Sequence, residues 1–288
     1  MTSAPCPPSP GDPVVIRSEI FADSGRVVHG FGTRLGGVSR PPFASLNLGM
    51  SVGDDPEAVL ANRRRFFGEF GLDPDRVVRV RQVHGDRICR VDEALAARPG
   101  FPQILLDEGS GHDGLVTNLT DLALVVTTAD CQPILIHDPV HGAVAAVHAG
   151  WRGTAKRIVT RVLGVLAASY GTRPEECLAA VGPSIRGCCY EVDAAVTDAM
   201  ATALPGWGAH AVPTRPGHVR LDLAGVNRAL LEASGVRPDR IADTGLCTSC
   251  RTDLFFSHRA EKGRTGRMMN VILLRERGDS AGVPPADL

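Results

Sequence analysis

Three apolar runs constrain this chain more than anything else in it: "LALVV" (122–126), "PILIHD" (133–138) and "AVAAVHA" (143–149). None alternates apolar with polar residues, so each reads as a strand covered on both faces. A chain built on such strands must place further layers on either side of them. Two of the runs also abut residues that can bind a metal. Cys131 stands just before the second run, and His148 sits just before the turn "GWRG" at the end of the third.

The flanking segments fill in those layers. "VVIRSEIF" (14–21) and "RVVHGFGTR" (26–34) alternate like a strand pair, and "RVVRVRQVHG" (76–85) reads as a strand entering a glycine turn. "ECLAAVGPSI" (176–185) and "GRMMNVILL" (266–274) are further buried strands. "DDPEAVLANRRRFFGEFG" (54–71) is a helix, with Asp55 as its cap, Pro56 in the first turn and Gly71 at its end. "TAKRIVTRVLGVLAASYG" (154–171) is an amphipathic helix stopped by Gly171. "DAAVTDAMATALPG" (193–206) is a helix, and "HVRLDLAGVNRALLEASG" (218–235) is a strand followed by one. Strands outnumber helices without a regular β-α-β order. The expectation is an α/β (α+β) single-domain sandwich of mixed β-sheets flanked by helices, rather than a doubly wound fold.

No linker or repeat divides the 288 residues. We read residues 1–13, rich in proline, as a disordered tail, 14–276 as one catalytic domain and 277–288 as a flexible end. A net charge of −1 gives no bulk attraction to nucleic acid or to a membrane surface. No apolar run is long enough to span a bilayer. The N-terminus lacks a basic-then-apolar signal pattern, so a cytoplasmic location is expected. In that setting eight cysteines read as thiols or ligands rather than as a disulfide framework.

Strand ends hold the backbone while the side chain faces a cleft. Cys131 and His148 stand at such ends, and "RQVHG" puts His84 in the same setting. Two imidazoles and one thiolate suit zinc with an open fourth position, and copper is also compatible. The opposing reading is that any one buried His or Cys packs rather than binds. His29, His112, His137 and His141 compete as ligands. Familiar zinc patterns are absent: there is no H-x-E with P-C-x-x-C and no H-E-x-x-H.

"CTSC" (Cys247, Cys250) is a second candidate. A closed zinc site would need two more thiolates, and the adjacent Cys188 and Cys189 are awkward sources. A redox C-x-x-C opens a helix, whereas "RTDLFFSHR" reads as extended. Buried structural thiols are the expectation. For anion binding, "GGVSR" offers Ser39 and Arg40, "GWRG" offers Arg152, and "FFSHR" offers Ser257 and Arg259. Arg63, Arg64 and Arg65 read as solvated surface charges.

The stretches "PFASLNLG", "GDDPEAVLANR", "RQVHG", "DGLVTN", "TADCQPILIHD", "AAVHAGWRGT", "VGPSI", "CCYEV", "LDLAGVNRALL", "CTSC", "FFSHR" and "TGRMMNVI" occur in order across about residues 25 to 275. With them the chain closely resembles the YfiH-type purine nucleoside phosphorylase family, with its laccase or polyphenol oxidase domain. The resemblance implies a metal triad of His84, Cys131 and His148. It implies a fold similar to the catalytic domain of the cytotoxic necrotizing factor toxins. It also implies phosphorolysis of adenosine, inosine and methylthioadenosine, with adenosine deamination. Two departures stand out: the extra cysteine Cys188, and Ala260 where a second arginine is common.

Purine nucleosides and phosphate are then the expected partners, and the protein a monomer or small homo-oligomer. Ser39, Arg40, Asn47 and Arg152 are the expected phosphate or substrate contacts. Asp130, beside Cys131, could orient a ligand, shuttle a proton or serve structure alone. True multicopper laccases use H-x-H pairs and an H-C-H run, and this chain has nine histidines in neither arrangement. The alternatives are a Cys–His amidase, with Cys131 as nucleophile and His148 as base, a peptidoglycan-precursor editing factor, and a copper-dependent polyphenol oxidase.

Overall fold

The computed structural model describes residues 11–107 and 111–276. Most of the expected N-terminal tail and the whole C-terminal end lie outside the described residues. Two sheets carry the fold. One has six strands in the order Ile241–Asp243, Leu178–Val181, Gln132–Asp138, Ala143–Ala149, Gly114–Thr117 and Ile88–Arg90. Its two outer pairs are parallel and the inner ones antiparallel. The other is antiparallel, in the order Val15–Ile16, Val27–Gly32, Met268–Leu274 and Leu124–Thr128.

The two sheets face one another. Leu135, Val144 and Ala146 of the larger sheet meet Phe31, Leu124, Val126 and Ile272 of the smaller. Successive side chains on a strand point to opposite faces, so Ile134, Ile136, Ala145 and Val147 emerge on the far side. There they pack against the helices Ile158–Tyr170 and Leu223–Ala233. The smaller sheet is covered by the helix Pro56–Gly68 through Phe66 and Phe67, against Val125, Val271 and Leu273. Helix, sheet, sheet and helix stack in four layers, which is why the central strands are apolar on both faces. A third, three-stranded antiparallel sheet joins Ala211–Pro213, Val219–Leu221 and Glu191–Val192. It packs at the side with the helix Ala194–Ala203.

Local chemistry explains how two of the helices begin and end. Asp55 accepts a bond from Glu57 N at 3.1 Å ahead of Pro56, as the cap expectation requires. Gly171 takes φ +75° and closes its helix onto Ala167 O. Three expectations need correction. The segment 154–171 is two helices, Trp151–Ala155 and Ile158–Tyr170, because Arg157 adopts a left-handed φ of 59° between them. The segment 14–21 holds only the two-residue strand Val15–Ile16 before a 3-10 turn from Glu19 to Ser24.

The segment 76–85 is not a strand. Its backbone joins a sheet only at the bridge between Val78 and Leu124. Further along, the Gln82 side chain substitutes for backbone: it donates to Thr127 O at 2.8 Å and accepts from Thr127 N at 2.7 Å. That pairing ends extended structure just before His84.

Candidate functional site

Four segments converge at one end of the sheets. Cys131 lies where the chain crosses from the strand Leu124–Thr128 of the smaller sheet to Gln132–Asp138 of the larger. His148 is in the adjacent strand, with Pro133 as its cross-strand partner. Asp113 immediately precedes the next strand, whose Gly114 is paired with Val147. The fourth segment is the turn around His84.

The ligand-capable atoms of His84, Cys131 and His148 lie within 4.8 Å of one another. The two imidazole rings meet edge to face, with centroids 4.9 Å apart. His148 is buried, Cys131 half-buried and His84 exposed, so the trio opens to solvent on one side. That is the donor set and the openness of a three-ligand catalytic metal site. The adjoining Gly150 is required by space. A Cβ there would lie 3.1 Å from the Cys131 sulfur and 3.2 Å from His84 Cδ2.

Asp113 organises the trio and was missed from sequence. Its carboxylate accepts from the backbone N–H groups of Val83, His84 and Gly85 at 3.2, 3.0 and 2.6 Å. It also bonds His148 Nδ1 at 2.7 Å, while its carbonyl accepts from His148 N, also at 2.7 Å. An ionised carboxylate only accepts, so Nδ1 carries the proton and Nε2 is the nitrogen left for a metal. One fully buried aspartate thus fixes the His148 ring and the turn bearing His84. That turn needs fixing: His84 has φ 57°, a conformation costing about 1–3 kcal/mol for a residue with a side chain. The available sequence signal was Asp113's place, a charged residue at the start of an apolar strand, as with Cys131.

The electrostatics are those of an ion pair. Burial opposes ionisation of the Cys131 thiol, but the adjacent His148 and His84 outweigh it and hold the thiol at about 6. Burial likewise opposes charge on His148, but the Cys131 thiolate and Asp113 raise it to about 9. Burial would raise the Asp113 carboxyl too, and the bonds from His148 and Gly85 instead hold it below its ordinary value.

The trio lies in a cleft of about 1030 Å³. Its arginines are Arg63, Arg79, Arg81, Arg259 and Arg267. Arg63 corrects the surface reading: it is buried, and its Nε and Nη2 donate to Leu48 O at 3.0 and 2.8 Å. Burial, then the neighbouring Arg79 cation, lower its pKa to about 10. Burial also lowers Arg79, against the pull of Asp75, and the buried Arg79 Nε has no hydrogen-bond partner. Two guanidinium groups that share one cleft wall and repel each other, one with an orphaned donor, suit an anion.

The four expected phosphate contacts lie elsewhere. Ser39 donates to Asp54 Oδ2 at 2.6 Å, and Asn47 Nδ2 donates to the same oxygen at 2.8 Å. Both are buried in an internal network beside a carboxylate, which repels phosphate. Arg40 is exposed on a separate cavity with Asp54, Asp55 and Glu57. Arg152 stacks on Trp151, its guanidinium 4.1 Å from the ring centroid, and faces another cavity. Ser257 is buried and accepts from Ala260 N at 3.1 Å.

Asp130 is held in place by its neighbours. Its Oδ1 accepts from Thr248 Oγ1 at 2.6 Å and its Oδ2 from Arg259 N at 2.7 Å, so both oxygens are engaged. Three of the competing histidines have partners of their own. His29 Nε2 accepts from Ser18 N at 2.8 Å, and burial with Arg17 lowers its pKa to about 4. His137 contacts Ala143 O, and His141 pairs with Asp138 at 2.9 Å. Cys188 and Cys250 are exposed, contrary to the expectation of buried thiols.

Residues 28–275 match the family described as "Multi-copper polyphenol oxidoreductase laccase". "Purine nucleoside phosphorylase YlmD" of Bacillus subtilis is 37% identical over 253 residues, covering 87% of this chain and 89% of that protein. A "Purine nucleoside phosphorylase" of Deinococcus radiodurans is 42% identical over 258 residues, covering 89% and 92%. Among solved structures, YlmD from Geobacillus stearothermophilus superposes with a TM-score of 0.82 at 38% identity, covering 90% of this chain and 94% of that one. The hypothetical protein YfiH of Bacillus licheniformis gives 0.83 at 36% identity, covering 92% and 97%. No helix among the described residues is long and apolar enough to cross a membrane.

Proposed function

The chain belongs to the multi-copper polyphenol oxidoreductase laccase family, and from that premise we propose that it is a metal-dependent purine nucleoside phosphorylase. The substrates are adenosine, inosine and methylthioadenosine, with adenosine deamination as a second activity. The relatives' names support nucleoside chemistry. The observation that carries the site assignment is the convergence of His84, Cys131 and His148 in the cleft that holds Arg63 and Arg79.

His84, Cys131 and His148 are the metal ligands in this reading, and the donor set fits zinc, with copper as the other choice. A bound ion there would supply Lewis acidity at its open position. Asp113 keeps the His148 proton on Nδ1 and presents Nε2 as a ligand. Arg63 and Arg79 hold phosphate, whose charge relieves their mutual repulsion. In phosphorolysis a phosphate oxygen forms a bond to ribose C1′ as the bond to the purine nitrogen breaks. The electron pair leaves on the base, which takes a proton from solvent. Holding the anion in place converts a bimolecular step into a local one. Deamination, in which water replaces the C6 amino group and ammonia leaves, is assigned to the same cleft. The setting is the cytoplasm, with the protein a monomer or small homo-oligomer.

Cys131, His148 and Asp113 also stand in the order of nucleophile, base and orienting carboxylate, the arrangement a thiol amidase needs. A bound metal occupies the sulfur and blocks that chemistry, so metal content separates the two readings. Polyphenol oxidation has weak support, since no group of possible ligands among the described residues holds more than two histidines. The test is incubation with inosine, adenosine and methylthioadenosine, with and without phosphate. Phosphate-dependent release of base with ribose 1-phosphate, or with 5-methylthioribose 1-phosphate from methylthioadenosine, supports the assignment. Release of neither base nor ammonia from any of the three overturns it.

A further inference from the structure

A second set of ligand-capable side chains lies apart from the trio. The sulfurs of Cys188, Cys189, Cys247 and Cys250 are all within 4.8 Å of one another. Cys250 Sγ is 3.5 Å from Cys188 Sγ and 3.3 Å from Cys189 Sγ. Zinc–sulfur bonds of about 2.3 Å at tetrahedral angles place sulfurs about 3.8 Å apart, so these contacts are near the edge of such a tetrahedron. A single disulfide joins two sulfurs and gives no reason for a third at equal distance. Nor does burial gather them, since Cys188 and Cys250 are exposed.

Local folding removes the awkwardness of two adjacent ligands. Cys189 N and Tyr190 N both donate to Arg186 O at 2.8 Å, so the chain curls at Cys188 and Cys189 instead of alternating as a strand would. The partner segment is a C-x-x-C turn closed by Arg251 N donating to Cys247 O at 3.0 Å. The two segments are already side by side. Ser184 N donates to Leu246 O, and Thr248 N to Ser184 O, at 3.2 and 3.0 Å.

We propose that Cys188, Cys189, Cys247 and Cys250 form a closed tetrathiolate site for a soft divalent cation of the zinc class. With four protein ligands it has no open position, so its role is structural. It clasps one wall of the cleft from behind. Tyr190, next to Cys189, lines the cleft, and Thr248, next to Cys247, bonds Asp130 beside Cys131. Arg259, nine residues beyond Cys250 and also lining the cleft, donates to Glu191 O at 2.8 Å, two residues from Cys189. Binding deprotonates the thiols and releases their protons to solvent.

The test is zinc content of the full-length protein, purified under reducing conditions, loaded with zinc and desalted. Cys188→Ser/Cys250→Ser, changed only at exposed positions, is expected to hold one equivalent fewer than wild type. An unchanged zinc content in that double variant overturns the proposal. A second measurement leaves the four cysteines intact. Cys131→Ala/His148→Ala loaded with cobalt(II) is expected to show the intense near-ultraviolet thiolate-to-cobalt charge-transfer band of a tetrathiolate. Absence of that band, or a Cys247–Cys250 disulfide in peptide maps of the reduced preparation, overturns it.

Discussion

Asp113 and His148 are joined twice. The imidazole Nδ1 meets the carboxylate at 2.7 Å, and His148 N donates to Asp113 O at the same distance. Because this carboxylate also gathers the N–H groups of the His84 turn, two members of the trio are oriented by one residue outside it. Asp113→Asn is expected to lower zinc affinity about 10- to 100-fold, the usual cost of losing such an orienting partner. Chelator competition measures it. Affinity within a factor of two of wild type would contradict the role.

Gly150 tests the space around the trio. The Cβ of Gly150→Ala would press on the Cys131 sulfur and His84 at 3.1 and 3.2 Å. The backbone φ of −74° suits any residue, so the fold is expected to survive. Weakened metal binding with little change in Tm is the expected outcome, and Gly150→Val is expected to bind more weakly still. Equal affinity in all three proteins would show that the ligands are not crowded here.

The Cys131 thiol supplies a pH signature. Held at about 6, it is mostly thiolate at neutral pH in metal-free protein. Its alkylation by iodoacetamide is expected to rise with pH through a midpoint near 6. His148→Ala removes the stabilising cation, so its midpoint is expected to move up toward the ordinary thiol value of about 8.5. Zinc is expected to protect the sulfur. A midpoint unmoved by His148→Ala would contradict the ion pair.

Phosphate recognition is assigned to Arg63 and Arg79. Hydrogen bonds to charged groups contribute about 1.5–3 kcal/mol, so Arg79→Ala is expected to raise KM for phosphate roughly 10- to 100-fold. KM for inosine should move much less. Arg40→Ala and Arg152→Ala are expected to change neither. Steady-state kinetics with phosphate varied at fixed nucleoside gives the comparison.

The sequence reveals those site residues whose neighbours along the chain already betray them. Cys131 and His148 interrupt apolar runs at turns, and that setting is local. The double-sided burial of the central strands is local too, because it is written in their lack of alternation. Asp113 is different: its role depends on a turn 28 to 30 residues away in sequence. Arg63 and Arg79 look like surface charges in "NRRR" and "RVVRVR", and only packing brings them together. Ser39 and Asn47 are turned inward by Asp54, a partner that loop composition does not reveal. The two-residue strand Val15–Ile16 is fixed by pairing with Val27–Gly32 rather than by its own pattern.

The most direct measurement is inosine phosphorolysis by protein stripped of metal and then titrated with zinc, with copper in parallel. Ribose 1-phosphate formation is expected to be lost on stripping and restored by zinc in the wild type. It is not expected to return in Cys131→Ala or His148→Ala at any zinc concentration. Full activity in the stripped protein, or in either variant, would contradict the assignment of His84, Cys131 and His148 as its metal centre.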